Sequence, residues 1–160
     1  MKFYLTYGTE DYLYKLMNKF SQYPLRLLGN EDTCILFYET NEPSIFKAPK
    51  TYDVLHATGS LNEGYTAAFQ HITVTDEGIP LFEKQFLDIA DMIKDAPGIS
   101  AIRILRPKRS NTYIILTLWE NEQSYQTFHQ SDEMMNLSAE TNWFSKQPYV
   151  KKYFPISIEE

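Results

Sequence analysis

The sequence is poor in the residues that most often build metal and disulfide sites. Its 160 residues include one cysteine and three histidines. A single thiol excludes a disulfide framework, and so few imidazoles exclude a zinc site made of several Cys and His ligands. Any imidazole chemistry falls to His56, His71 or His129. No apolar run approaches the length of a transmembrane helix, so no membrane partner is expected. The opening MKFYLTYGTEDYLYK has no apolar h-region and no small-residue cleavage site. Together with a lone Cys34 in an apolar run, this points to a cytoplasmic protein. Positive charge is scarce too. A net charge of −6 and a pI near 5.1 argue against a nucleic acid partner. The one basic cluster, Arg103, Arg106, Lys108 and Arg109, reads as a solvated turn.

Apolar residues make up 43% and charged residues 22%, the balance of a globular chain. The first third reads as a small α/β unit. Lys2 to Tyr7 alternates like a strand, and Thr9 is placed to cap a helix carrying Leu13, Leu16, Met17 and Phe20. Leu25–Leu28 and Cys34–Tyr38 read as strands around a Gly-Asn turn. Tyr52 to Ala57 reads as one or two helical turns, and Gly59 to Gly64 as the boundary between units 1–63 and 64–160.

The second unit is more regular. Ala67–Val74 is a strand, with Phe69, His71 and Thr73 on one face and Ile72 and Val74 on the other. Pro80 opens a helix with Phe82, Phe86, Ile89 and Ile93 at helical spacing, ended by Ala96-Pro97-Gly98. Strands Ile99–Leu105 and Thr112–Trp119 follow, then a helix from about Asn121 to Leu137 and a last strand, Tyr149–Ile156. The order βαββαβ predicts an α+β, ferredoxin-like domain of the dimeric αβ-barrel type, preceded by the small N-terminal extension. With two helices on one face, the other face needs cover, and a homodimer packed sheet against sheet would supply it.

Three segments of this second unit resemble the antibiotic-biosynthesis monooxygenase superfamily: Ile72-Thr-Val-Thr-Asp-Glu-Gly78, Ala96-Pro-Gly-Ile99, and Ile115-Leu-Thr-Leu-Trp119-Glu with the following Tyr125 and Phe128-His-Gln-Ser-Asp132. The last is similar to the Isd-type heme-degrading branch. The N-terminal unit resembles that of two-domain members, which include Bacillus-type heme monooxygenases and TRAP-type proteins. The resemblance implies heme as substrate and cofactor, an external electron donor, and iron and an opened tetrapyrrole as products. The branch places an Asn on the first strand of the ferredoxin-like domain, a Trp on its second helix, and an axial His ten residues later. The resemblance puts His71, Phe128 and Ser138 at these positions, so all three differ here.

A serine hydroxyl is a weak ligand for heme iron. That leaves His71 as the leading metal ligand, unless it keeps the hydrogen-bonding role of the Asn or is a structural histidine. Phe69, Phe82, Phe86, Tyr125, Phe128, Met134 and Met135 would supply pocket walls and equally read as core. His129 lies about 100° around the helix from Phe128, at the side of such a pocket. Arg103, Arg106 and Arg109 would meet propionates. Phe in place of Trp implies slower or altered turnover. The alternatives are a non-enzymatic TRAP-like regulator or heme carrier, and a cofactor-free monooxygenase of a small aromatic molecule.

Overall fold

The computed structural model describes residues 1–130 and 144–156. Two threonines mark parallel starts. Strand β1 (Lys2–Gly8) runs into Thr9, whose hydroxyl accepts from the Tyr12 amide and caps α1 (Glu10–Lys19). Strand β5 (Thr66–Thr73) leads to Thr75, whose hydroxyl accepts from the Gly78 amide. A short 3₁₀ turn, Asp76–Gly78, then enters α2 (Ile79–Ile93), with Pro80 in the first turn. After α1 come β2 (Arg26–Gly29), β3 (Cys34–Thr40) and β4 (Lys50–Gly59). After α2 come β6 (Ile99–Pro107), β7 (Thr112–Trp119), α3 (Glu122–His129) and β8 (Tyr149–Pro155).

The eight strands close one barrel in the order β1-β3-β2-β8-β5-β7-β6-β4. Within it, the N-terminal half is ordered β4-β1-β3-β2 and the C-terminal half β8-β5-β7-β6. Both halves therefore follow the same ferredoxin-like order: fourth, first, third, second. The expected fold class holds for the second half. The expected N-terminal extension is more than an addition, since it repeats the topology. Only its second helix is missing, replaced by the segment 41–49. Tyr52–Ala57, expected as helical turns, lies inside β4, where backbone pairing with β6 overrides the local pattern.

Each half's second strand pairs with the other half's fourth. The β4–β6 seam runs from Tyr52↔Pro107 to Gly59↔Ala101, whereas the β2–β8 seam joins only Leu28 with Pro155 and Gly29 with Phe154. The sheet face that grounds the expected homodimer is thus covered by the chain's own N-terminal half. A shared core fills the barrel, including Phe3, Leu5, Phe37, Phe69, Leu116 and Tyr153. Its rings meet in series: Phe3 and Phe37 at 5.5 Å, Phe37 and Phe69 at 5.7 Å, Phe69 and Tyr153 at 5.4 Å.

Two arginines fix the interior. Arg103 on β6 makes a bidentate pair with Glu39 on β3, at 2.8 and 2.9 Å, and also donates to the carbonyls of Thr58, Gly59 and Ile102. β3 and β6 are not neighbours, so this pair, its guanidinium buried and its carboxylate partly exposed, spans the interior and ties one half to the other. At one end of the barrel Leu61 is tucked into the core, and Arg26 holds its loop through the carbonyls of Leu61, Glu63 and Gly64. Gly59 at the start of that loop has φ +75°, and a Cβ there would lie 2.0 Å from the Ser100 carbonyl oxygen.

Candidate functional site

The C-terminal half carries its helices on the outer face of the barrel, and a cleft opens between them and the sheet. On α2 the buried stripe Phe82, Phe86, Ala90 and Ile93 recurs at helical spacing and packs on the sheet. α3 is capped by Asn121, whose side-chain oxygen accepts from the Ser124 amide at 2.8 Å. It is anchored from β8: Lys152 reaches Glu122 at 2.6 Å and lies 5.3 Å over the Tyr125 ring. Gln126 and Thr66 donate to the same carboxylate. Behind the cleft, Trp119 is fully buried, with its indole N–H on the Thr117 hydroxyl at 2.8 Å and Phe128 against its ring at 4.9 Å.

The cleft is shallow: its closed part holds about 20 Å³, roughly the room of one water, and the rest is open to solvent. Its floor is Ala68 and Gln70 of β5 with Ile115 and Thr117 of β7. One wall is Phe86, Ile89 and Ile93 of α2, and the other is Tyr125 and Phe128 of α3. The walls are apolar and aromatic, and the polar groups are the Gln70 amide, the Thr117 hydroxyl and the Tyr125 phenol. Burial pushes the Tyr125 pKa up to about 12, with the Glu122 carboxylate adding to the shift, so the phenol keeps its proton at neutral pH. The chemistry of this lining matches the face of a flat, largely apolar group, with the Gln70 amide as a polar contact.

Of the residues expected at the site, Phe86, Tyr125 and Phe128 are brought together here. Ser138, Met134 and Met135 lie outside the described residues. Phe69 and His71 are on the opposite face of β5. Alternate residues of a strand point to opposite faces, and here Ala68, Gln70, Ile72 and Val74 face the helices while Phe69 faces the barrel interior. His71 shares the face of Phe69. Its Nδ1–H donates to the Phe69 carbonyl at 3.0 Å, and its ring stacks on Tyr149 at 4.6 Å and 5°. Burial holds it neutral, with its pKa lowered from 6.5 to about 4. The roles expected of His71 as cleft residue and iron ligand there therefore fail on geometry, and Gln70 holds the cleft position on this strand.

The remaining candidates are placed as follows. Phe82 lies behind Phe86, 4.0 Å from its ring, and packs on Tyr113. His129 is exposed on α3, stacked on Tyr125 at 5.6 Å. His56 bonds Thr58 within β4. Neither Arg103 nor Arg106 is free for propionates: Arg103 is spent on Glu39, and Arg106 pairs with Glu83 at 2.6 Å beside the Tyr113 hydroxyl. That pairing holds the Glu83 carboxyl below its ordinary range. Arg109 lies exposed between β6 and β7.

Sequence reasoning missed Gln70 because it set the apolar Ile72 and Val74 toward an uncovered face. The contrary signal was present in β7, where Ile114, Ile115, Leu116 and Leu118 leave neither face polar. A strand apolar on both faces is covered on both, so the apolar Ile72 and Val74 did not mark an uncovered face.

A family model described as antibiotic biosynthesis monooxygenase matches residues 67–140. The signal transduction protein TRAP of Staphylococcus aureus (strain bovine RF122 / ET3-1) is 27% identical over 156 residues, which is 96% of this chain and 93% of that protein. A heme-degrading monooxygenase of Listeria monocytogenes serovar 1/2a (strain ATCC BAA-679 / EGD-e) is 26% identical over 144 residues, 88% of this chain and 86% of that one. The structure of a major regulator of staphylococcal pathogenesis superposes with a TM-score of 0.91 at 26% identity, covering 98% of this chain and 100% of that chain.

Proposed function

We propose, for a chain whose residues 67–140 belong to the antibiotic biosynthesis monooxygenase family, that the helix–sheet cleft of the C-terminal half binds heme. The observation that carries this reading is the cleft itself, with Phe86 and Phe128 on facing walls and Gln70 as the amide on the floor. The Listeria relative is a heme-degrading monooxygenase, and the likeness covers most of both chains.

The cleft suits the macrocycle better than the metal. Apolar and aromatic walls match a porphyrin plane. Among the described residues that line the cleft there is no imidazole, thiol or carboxylate, and the Tyr125 phenol is protonated. The chain's own contribution is then to hold and orient a flat ligand and to exclude water from one face of it. Binding without rapid turnover follows, in the manner of a carrier or a heme-responsive module, and the likeness to TRAP accords with that. Oxidative ring opening with an external electron donor is the second reading, favoured by the Listeria relative's activity.

Titration of the purified protein with hemin separates the readings. A saturable, shifted Soret band is expected, persisting after a reductant is added in air with catalase present. Decay of the band into an opened tetrapyrrole would favour the second reading. Absence of any Soret shift would overturn both.

A further inference from the structure

The floor of the helix–sheet cleft carries a hydroxyl whose proton is unspent. Thr117 on β7 is 5% exposed and lines the cleft. A threonine hydroxyl has one proton to donate and two lone pairs to accept with. One lone pair is taken by the Trp119 indole N–H at 2.8 Å, and Trp119 is itself fully buried. An indole nitrogen only donates, so the Thr117 oxygen is the acceptor in this bond. Its own proton is thereby turned away from Trp119, and among the described residues no acceptor lies within bonding distance of it. Buried polar hydrogens are nearly always paired, so an acceptor belongs at this place.

The neighbours of Thr117 state what kind of acceptor fits. Thr117 stands opposite Ala68 of β5, which adds only a methyl group to the floor. Gln70 stands opposite Ile115, two residues along on the same face, so the hydroxyl and the Gln70 amide are diagonal neighbours across the strand pair. The walls, Phe86 and Phe128 among them, are apolar and offer no acceptor. The closed part of the cleft that these residues line holds about 20 Å³, room for one water or an atom or two of a ligand. Two donors thus border a space the size of one small acceptor, and the apolar walls keep competing water few.

We propose that Thr117 is a second hydrogen-bond donor of the cleft, beside Gln70, and that the pair receives one small acceptor held between the ligand plane and the floor. Trp119 is the positioning residue: by occupying the Thr117 oxygen it directs the hydroxyl proton into the cleft. The proposal rests on the reading of the cleft as a heme site, in which a small anion on the floor side of the iron would be that acceptor.

The test is fluoride titration of the hemin-loaded chain, followed by absorbance. Fluoride is a small anion that accepts hydrogen bonds strongly. Thr117→Val keeps the shape and removes the donor, and should weaken fluoride binding about tenfold or more with hemin affinity kept. Thr117→Ser restores the hydroxyl and should bind fluoride about as the parent does. Trp119→Phe frees the hydroxyl to turn and should weaken fluoride binding several-fold, again with hemin still bound. In the parent itself, electron–nuclear double resonance of the fluoride complex should show exchangeable protons from two donors at the anion, which keeps the test valid if the interior variants fold poorly. A shifted Soret band with fluoride affinity equal in Thr117→Val and parent would overturn the proposal and leave the heme reading standing. So would a single donor proton in the parent, or a loss in Thr117→Ser as large as in Thr117→Val. Absence of any Soret shift in the parent would overturn both.

Discussion

The two halves of this molecule share a topology and differ in what lies on their outer faces. In the C-terminal half, α2 stands over β6 and α3 over β5 and β7, and a cleft lies between them. In the N-terminal half, only α1 stands over β1 and β3, and the place of the second helix is taken by 41–49. That segment turns Phe46 inward onto Tyr38, with ring centroids 5.4 Å apart, and Tyr4, Leu13 and Leu36 complete a packed cluster. The Tyr38 hydroxyl accepts from the Ile45 amide, and the Tyr4 hydroxyl donates to the Glu42 carbonyl, so the loop is fastened down. Tyr4 lies five residues before the capping Thr9, and Gln70 lies five residues before the capping Thr75. Each pairs with the central position of its third strand, Tyr38 and Ile115. A tyrosine fills one half where a smaller amide leaves room in the other. The shared strand order closes the barrel, and side-chain volume at matched positions distinguishes the outer faces of the two halves.

The largest effects come from breaking what closes or joins the halves. Phe46→Ala removes the ring that fills the N-terminal half and should cost about 3–5 kcal/mol in urea unfolding. Hemin affinity should be unaltered, because the C-terminal cleft is untouched. Glu39→Ala leaves the Arg103 guanidinium buried without its carboxylate and should also cost about 3–5 kcal/mol. A loss below about 1 kcal/mol would mean that the pair does not tie β3 to β6.

A smaller effect separates the halves by pH. His71 lies four residues before Thr75, where the N-terminal half has Leu5 four residues before Thr9. The folded chain keeps His71 neutral down to about pH 4, against 6.5 for the free side chain. The unfolded chain therefore binds the proton first, and stability falls as pH drops from 6.5 toward 4, by up to about 3 kcal/mol. Denaturant unfolding of His71→Gln should show a flatter dependence across that window. The carboxylates that are held low, Asp53, Glu83 and Glu122, lose their contribution only at more acid pH. An identical slope in variant and parent would contradict a buried, neutral His71.

Much of this comparison was legible in the sequence, though not its main point. Periodicity located α1 through Leu13 and Leu16, and α2 through Phe82 and Phe86. Ala96-Pro97-Gly98, read as ending α2, lies just beyond its last residue Ile93, and Gly98 enters β6 at φ +82°, where a Cβ would meet Ser124 at 2.2 Å. Phe86, Tyr125 and Phe128, expected together from the sequence, line one cleft. The N-terminal half was not legible as a repeat, because the loss of a helix erases the βαββαβ rhythm. β4, moreover, alternates poorly around Asp53 and His56, with a bulge between Val54 and His56. The assignment of strand faces failed for a different reason. With period 2, a one-residue choice of face exchanges Gln70 for His71, and a strand that is apolar on both faces carries no pattern to decide it.

Room beside Gln70, absent beside Tyr4, is what would let the C-terminal half hold a flat ligand. Gln70→Tyr gives the C-terminal half the residue of the N-terminal half at the matched place. Hemin titration of this variant beside the parent tests the claim most directly. Hemin affinity should fall by at least about tenfold, with the unfolding free energy changed by no more than about 1 kcal/mol. An affinity equal to the parent's in a folded Gln70→Tyr variant would contradict it.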